Sequence, residues 1–346
     1  DNMLQFDAQV EALAAHGPSG LVATAVTRIG GNVWDGRLEI WQWPSDACEK
    51  SMENRVTMDM PCGPGDLTWM YGENNTPILA VAKDDGDIEI FRWCPNSSKS
   101  ETKRIEGGDG PLVSQGILGE HHDLVNSVSA CRTKINLLAS VSSDASLRIW
   151  DIEVPDASSQ RYDACHGREI YGVAWNGTSE SLIGTASADK TVKLWDLRVP
   201  DSCAARFKCP YGAECLAWDG SSESLLLVGL DQGSVLTLDK RKFSEAPLRY
   251  ERRHTGRVGC LVTGTCQGNQ VLASCGDDCR TLVTLQESSE SSSSGEGSTN
   301  NQSGLSRETK LEHGDYARAA TFLPLSNGRL RLAAGGWDGQ VQLIEL

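Results

Sequence analysis

Positive charge is scarce in this chain. Lys and Arg total 32 against 47 Asp and Glu, a formal net charge of −15 at pH 7. A general binder of phosphate backbones needs a basic face, so no direct nucleic-acid contact is expected, and long-range attraction favours basic partners. Long apolar runs are also absent. No uncharged apolar run approaches the roughly 18 residues of a membrane helix, so no membrane partner is expected. Residues 1–17 lack the basic start and long apolar core of a secretory leader, and none is expected. Metal-ligand spacing is missing too. Cys275 and Cys279 have no matching second pair, and the acidic turns at 83–87 and 276–278 lack the spacing of a calcium loop. Neither a metal nor any other cofactor is expected.

The abundant residues point to short strands. Gly is high at 35 and Trp at 10, while Phe is only 5. Many glycines with regularly placed tryptophans indicate tight turns between short strands. Most of the 12 cysteines sit in apolar, strand-like runs, as Cys131, Cys215, Cys260 and Cys275 do. They read as small buried hydrophobes, kept reduced in a cytoplasmic and nuclear protein.

One segment recurs clearly. LLASVSSDASLRIWDI at 137–152 matches LIGTASADKTVKLWDL at 182–197, each an apolar run, a polar turn with an Asp, and an alternating run ending in Trp-Asp. Weaker copies place the turn aspartates at Asp35, Asp85, Asp144, Asp189, Asp231, Asp278 and Asp338, with gaps of 50, 59, 45, 42, 47 and 60 residues. A period in the forties, lengthened by insertions, matches the WD repeat, with four strands per propeller blade. Seven turns predict an all-β, seven-bladed WD40 propeller of four-stranded antiparallel blades, a single unit over 1–346. The chain stops after VQLIEL, at the third strand of blade seven. Open strand edges aggregate, so the stretch near Met3–Phe6 is expected to supply the outer strand and close the ring.

Four histidines, His121, His166, His254 and His313, precede the turn aspartates by 23 to 25 residues. In WD repeats such a His joins a Ser or Thr, the Asp and the Trp in a buried hydrogen-bond chain. Here the sets are His121, Ser140, Asp144, Trp150 and His166, Thr185, Asp189, Trp195. Ser140, His121 and Asp144 also have the residue types of a nucleophilic triad. The set recurs one blade later, however, and nucleophile sets do not repeat at blade spacing. With no unrepeated nucleophile–base pair, no enzymatic activity is expected.

Three stretches read as insertions. The turn region near 61–65 and residues 95–119 are the smaller ones, and 287–310 form a Ser-, Gly- and Glu-rich loop with almost no apolar residues, expected to be flexible. It is either a plain tolerated insertion or a target of acidophilic kinases.

Propellers bind on their faces and edges, and the fold specifies no chemistry. Candidate contacts are therefore residues that a blade does not need. Trp34 lies beside the Asp35–Gly36 turn while Trp41 takes the strand Trp position, so Trp34 is either packed on a neighbouring loop or an exposed anchor. Trp337 precedes Asp338 in the same turn position, and Tyr316 and Arg318 flank the start of a blade-seven strand. A second possibility is the run Trp195-Asp196-Leu197-Arg198, which resembles the box by which some WD proteins dock, through the Arg, to the adaptor of cullin–RING ubiquitin ligases.

A narrower resemblance spans nearly the whole chain. GNVWDGRLEIW, GDLTWMYGENNTPILAVAKDDGDIEIFRW, EHHDLVNSVSACR, HGDYARAATFLPL and GGWDGQV resemble, at matching blade positions, the WD-repeat subunit of the methylosome, the methylosome protein fifty family. The resemblance implies a non-catalytic adaptor of a type II protein arginine methyltransferase. It would help present Arg-rich tails of histones and Sm proteins for symmetric dimethylation. The residue matching the family's inserting blade-one Trp is Trp34, with Asp35, Tyr316, Arg318 and Trp337 as further contacts. The chain departs from the family pattern in its longer Ser-rich loop and in lacking a strand Trp in blades five and six.

Overall fold

The computed structural model describes residues 3–30, 33–43, 52–95, 111–154, 158–199, 203–286, 306–325 and 328–346. They form seven four-stranded antiparallel sheets. Blade one takes its strands from 9–60, blade two from 64–119, blade three from 125–162, blade four from 170–208, blade five from 213–252 and blade six from 258–312. Blade seven combines strands from 317–345 with Met3–Gln5. The first strand of each blade is innermost. Gln9–His16 lies against both Pro64–Tyr71 of blade two and Ala317–Pro324 of blade seven, which closes the circle.

The expected closure is present. Leu4 pairs opposite Val341 and Met3 opposite Gln342, and Phe6 N–H donates to Gly339 O at 2.7 Å. The outer edge of Gln340–Glu345 is thereby covered.

The apolar residues sort into seven clusters, one at each blade-to-blade boundary. The second strands are buried on both faces, which is why they read as continuous apolar runs rather than alternating ones, as in Pro77–Lys83 and Leu330–Gly336. Tryptophans of the inner strands stitch neighbours together. Trp69 Nε1–H donates to Ala14 O at 3.1 Å, and Trp218 Nε1–H to Ala174 O at 3.0 Å, each across to the preceding blade.

Every inner strand carries one bulge near its start, so that Glu11, Gly65, Asn126, Tyr171, Glu214, Gly259 and Arg318 stand unpaired at the same end of the ring. The Asp-bearing turns lie at that end. At the opposite end the inner strands surround a central cavity of about 720 Å³, whose lining includes Tyr71, Arg132, Asn176, Asp219 and Phe322.

Four expectations need correction. The stretches 95–119 and 287–310 each contain a blade's outer strand, Leu112–Gly119 in blade two and Ser306–Glu312 in blade six, and residues 96–110 of the first lie outside the described residues. The loop expected over 287–310 therefore gives way to strand at 306, and its residues 287–305 lie outside the described residues. Asp35 is not a turn residue. It lies within the strand Val33–Gln42, opposite Arg28, because the blade-one pair runs on until Gly30 faces Val33. Trp34 and Trp337 consequently differ in position, since Trp337 does sit in a turn. In blade five the register places Gln232, not Asp231, at the turn-Asp position: Ala213 pairs with Leu230 as Val125 pairs with Ser142.

Candidate functional site

The tetrads are assembled by local backbone geometry. In blade three, Trp150 Nε1–H donates to Ser140 Oγ at 2.8 Å, and Ser140 Oγ lies 2.8 Å from His121 Nε2. His121 Nδ1 lies 3.2 Å from Asp144 Oδ2. Since the hydroxyl accepts from the indole, it donates to Nε2, and the ring proton on Nδ1 faces Asp144; this tautomer is assigned from the network. Burial pushes the Asp144 carboxyl up, but hydrogen bonds from His121, Ser146 and the His122 N–H outweigh it and hold it well below the usual range. Blade four repeats the chain, with Trp195 Nε1–H on Thr185 Oγ1 at 2.9 Å, Thr185 on His166 Nε2 at 2.8 Å, and His166 Nδ1 on Asp189 Oδ2 at 3.0 Å. Burial lowers the His166 imidazole to about 4, against the opposing pull of Asp189. Ser140 and Thr185 are fully buried and already accept from an indole, so neither offers a nucleophile to a substrate.

Other blades vary the set. In blade six His254 Nδ1 lies 2.8 Å from Asp278 Oδ1 and its Nε2 lies 2.9 Å from Ser274 Oγ. The register puts Thr284 at the Trp position, and Arg253 substitutes for the indole. In blade two the register puts Met60, four residues before Pro64, at the His position, and the Cys62 thiol donates to Asp85 Oδ2 at 3.2 Å. In blade seven His313 turns instead to the Thr281 hydroxyl of blade six, 3.0 Å from its Nε2.

On the face that carries these turns, the structure brings three candidate contact residues together. The Tyr316 and Trp337 rings lie 5.3 Å apart at 47°. The Arg318 guanidinium lies 4.6 Å from the Trp337 ring centre and 5.7 Å from that of Tyr316. Arg318 Nη1 also pairs with Asp277 Oδ1 at 3.4 Å, and Asp277 pairs with Arg257, which reaches Glu214 Oε2 at 3.2 Å. Arg257, Asp277 and Glu214 were not legible as site residues. Glu214 and Arg318 become neighbours of one network through their bulge positions, and a bulge leaves no mark on sequence periodicity. Burial raises Asp277 and Glu214 above their ordinary values, against the nearby Arg257. Tyr316 is 39% exposed, so the stack offers an aromatic edge ringed by charge.

The two blade-one candidates are not part of this stack. Asp35 forms a two-point ion pair with Arg28, both bonds 3.1 Å, across the extended hairpin. Trp34 lies on the same strand opposite Ile29, and its side chain falls outside the described residues. Arg198 is 77% exposed and clamps Asp196 with Nη2–Oδ2 at 2.6 Å.

The family model described as "WD domain, G-beta repeat" matches residues 113–151 and 159–196. Each match runs from the outer strand of one blade through the first three strands of the next, so the repeat unit is offset from the blade and interlocks neighbours. The chain is a seven-bladed WD40 propeller.

The propeller is 24% identical over 278 residues to a protein transport protein SEC31 of Chaetomium globosum, covering 77% of this chain and 21% of that protein. It is 27% identical over 120 residues to the nuclear distribution protein nudF of Aspergillus niger, covering 34% of this chain and 22% of that one. The chain thus spans about a fifth of the length of these curated relatives. A solved structure, "Crystal Structure of Mitotic Checkpoint Complex", contains a chain that superposes with a TM-score of 0.70 at 15% identity, over 100% of this chain and 91% of that one. That likeness shows the fold alone. Among the described residues no helix is long and apolar enough to cross a membrane, and no group of three or more His, Cys, Asp or Glu could hold a metal ion. The coarse functional class is a protein-interaction scaffold.

Proposed function

We propose that this propeller is a non-catalytic adaptor that binds a type II protein arginine methyltransferase. It would help present basic, Arg-rich tails, such as those of histones and Sm proteins, for symmetric dimethylation in the cytoplasm and nucleus. The observation that carries this reading is the blade-one hairpin. Measured from the bulge, blade three turns after Val141 faces Leu147, whereas blade one continues from the matching Ala25–Leu38 pair through Val26–Arg37, Thr27–Gly36, Arg28–Asp35, Ile29–Trp34 and Gly30–Val33. A blade has no need of these extra pairs, and the Arg28–Asp35 clamp braces them. They bear Trp34, the residue that the resemblance to the methylosome subunit singles out. The net charge of −15 supports the attraction of basic tails. Affinity purification with mass spectrometry tests the reading. The wild-type chain is expected to retain an arginine methyltransferase and Trp34→Ala to lose it. Unchanged affinity in the variant would refute the site, and absence of any methyltransferase would refute the adaptor role.

One observation favours a second reading, a substrate receptor of a cullin–RING ubiquitin ligase that uses Trp195-Asp196-Leu197-Arg198. Arg198, the residue that would make the contact, is 77% exposed, and its pairing with Asp196 holds the guanidinium at the surface. Arg198→Ala would abolish binding to a ligase adaptor if this second reading holds and leave methyltransferase binding intact if it does not.

A further inference from the structure

Cys260 and Cys275 are direct partners across the first two strands of blade six, Val258–Cys266 and Asn269–Gly276. Side chains of directly opposed residues leave an antiparallel pair on the same face, with Cα atoms about 4.5–5.5 Å apart. A disulfide spans Cα separations of roughly 4.4–6.8 Å, so this pair needs no backbone movement to be bridged. Both thiols are free, and the register sets them side by side on one face of the blade. Cys260 is half-buried on the inner strand and Cys275 is fully buried behind it.

We propose that Cys260 and Cys275 are a disulfide-forming pair, with Cys260 the sulfur that meets a peroxide and Cys275 the sulfur that resolves it. The Cys260 thiolate attacks one oxygen of hydrogen peroxide and the O–O bond breaks. Sulfenic acid forms on Cys260, and the leaving hydroxide takes up the thiol proton as water. The Cys275 sulfur then attacks the Cys260 sulfur, the S–O bond breaks, and the hydroxyl leaves as a second water with the Cys275 proton. Two thiols lose two electrons and the peroxide gains them.

The surroundings single out this pair. Burial pushes the Cys62, Cys165 and Cys209 thiols up to about 12, which keeps them protonated. The Cys275 thiol beside it instead holds the Cys260 thiol below its ordinary value. The competing sulfur is Cys215 of blade five. Its Sγ lies 3.3 Å from Val258 O, on the strand that carries Cys260, and in the space beside Gly229, where an added Cβ would meet it at 2.6 Å. Cys275 also leads directly into Gly276, Asp277 and Asp278, and its sulfur lies 3.4 Å from the Thr281 hydroxyl that bonds His313. A bridge would therefore tether the strand end that presents Asp277 to Arg257 and Arg318. This inference does not depend on the adaptor reading.

The test uses the full chain, reduced, exposed to graded hydrogen peroxide, denatured with alkylating agent and mapped by mass spectrometry. The expected result is a Cys260–Cys275 linked peptide lacking two hydrogens, with loss of alkylation at those two of the 12 cysteines before the others. In Cys275→Ser the link is lost and Cys260 is trapped by dimedone as sulfenic acid. Three results would overturn the pairing: both thiols still alkylatable when another cysteine has oxidised, a Cys215–Cys260 link in their place, or no dimedone adduct at Cys260 in Cys275→Ser.

Discussion

Arg253 Nε donates to Ser274 Oγ at 3.2 Å, and its Nη2 donates to Thr284 Oγ1. A guanidinium thus does in blade six what the indoles of Trp150 and Trp195 do for Ser140 and Thr185 in blades three and four. The requirement met is the same in each case: a buried hydroxyl beneath a histidine needs a donor, and the residue type supplying it is free to change.

Arg253→Ala should therefore behave as a core lesion although Arg is a surface-type residue. It removes donors from the buried Ser274 and from Thr284, a loss worth about 1–3 kcal/mol. Urea unfolding at neutral pH measures it. A change within about 0.5 kcal/mol, the range of ordinary surface substitutions, would show the contacts to be idle.

Ser140→Ala and Thr185→Ala should each cost a similar amount, about 1–3 kcal/mol, by stranding an indole N–H and a histidine nitrogen. Thr185→Ser keeps the hydroxyl and should restore most of the loss. An intact unfolding midpoint in both alanine variants would rule out the structural role assigned to the tetrads.

Stability should fall on mild acidification. Burial holds His16 and His166 at about 4, below the ordinary 6.5 of the unfolded chain. From pH 6.5 down to about 4 the unfolded chain takes up protons that the folded imidazoles refuse, so stability is complete above 6.5 and is lost as pH falls through this window. Asp66 works in the opposite sense. Burial raises it to about 6, and its contribution is complete below 3.8 and lost as pH rises to 6. Comparing wild type with His16→Asn isolates one imidazole. The melting temperature of the variant should drop less between pH 7 and pH 5, and parallel curves would contradict the assignment.

Deleting residues 1–5 should open blade seven. Gln340–Glu345 would lose Met3, Leu4 and Gln5 as partners and present a bare edge. Light scattering on gentle heating should show aggregation before the full-length chain aggregates. Equal behaviour of the two chains would mean that the strand is dispensable for solubility.

Much of this molecule was legible in its residues. The Trp-Asp repeat, the turn aspartates and the tetrad histidines recur at blade spacing, and covalent spacing along a strand dictates which side chains share a face. The need to close an edge points to the stretch near Met3–Phe6, where the strand Met3–Gln5 lies. The outer strands Leu112–Gly119 and Ser306–Glu312 were hidden because only one side of an outer strand is paired and few of its residues are buried, so neither periodicity nor apolar content marks them.

Only the tertiary structure decided the rest. The bulges that seat Glu11, Glu214 and Arg318 at one end of the ring depend on pairing register, which is set between strands rather than along one. The same holds for the length of the blade-one hairpin, the stack of Tyr316, Arg318 and Trp337, and the facing of Cys260 with Cys275. Repeat and composition are properties of order along the chain. Contacts between residues tens of positions apart are settled by how seven sheets share a closed circle.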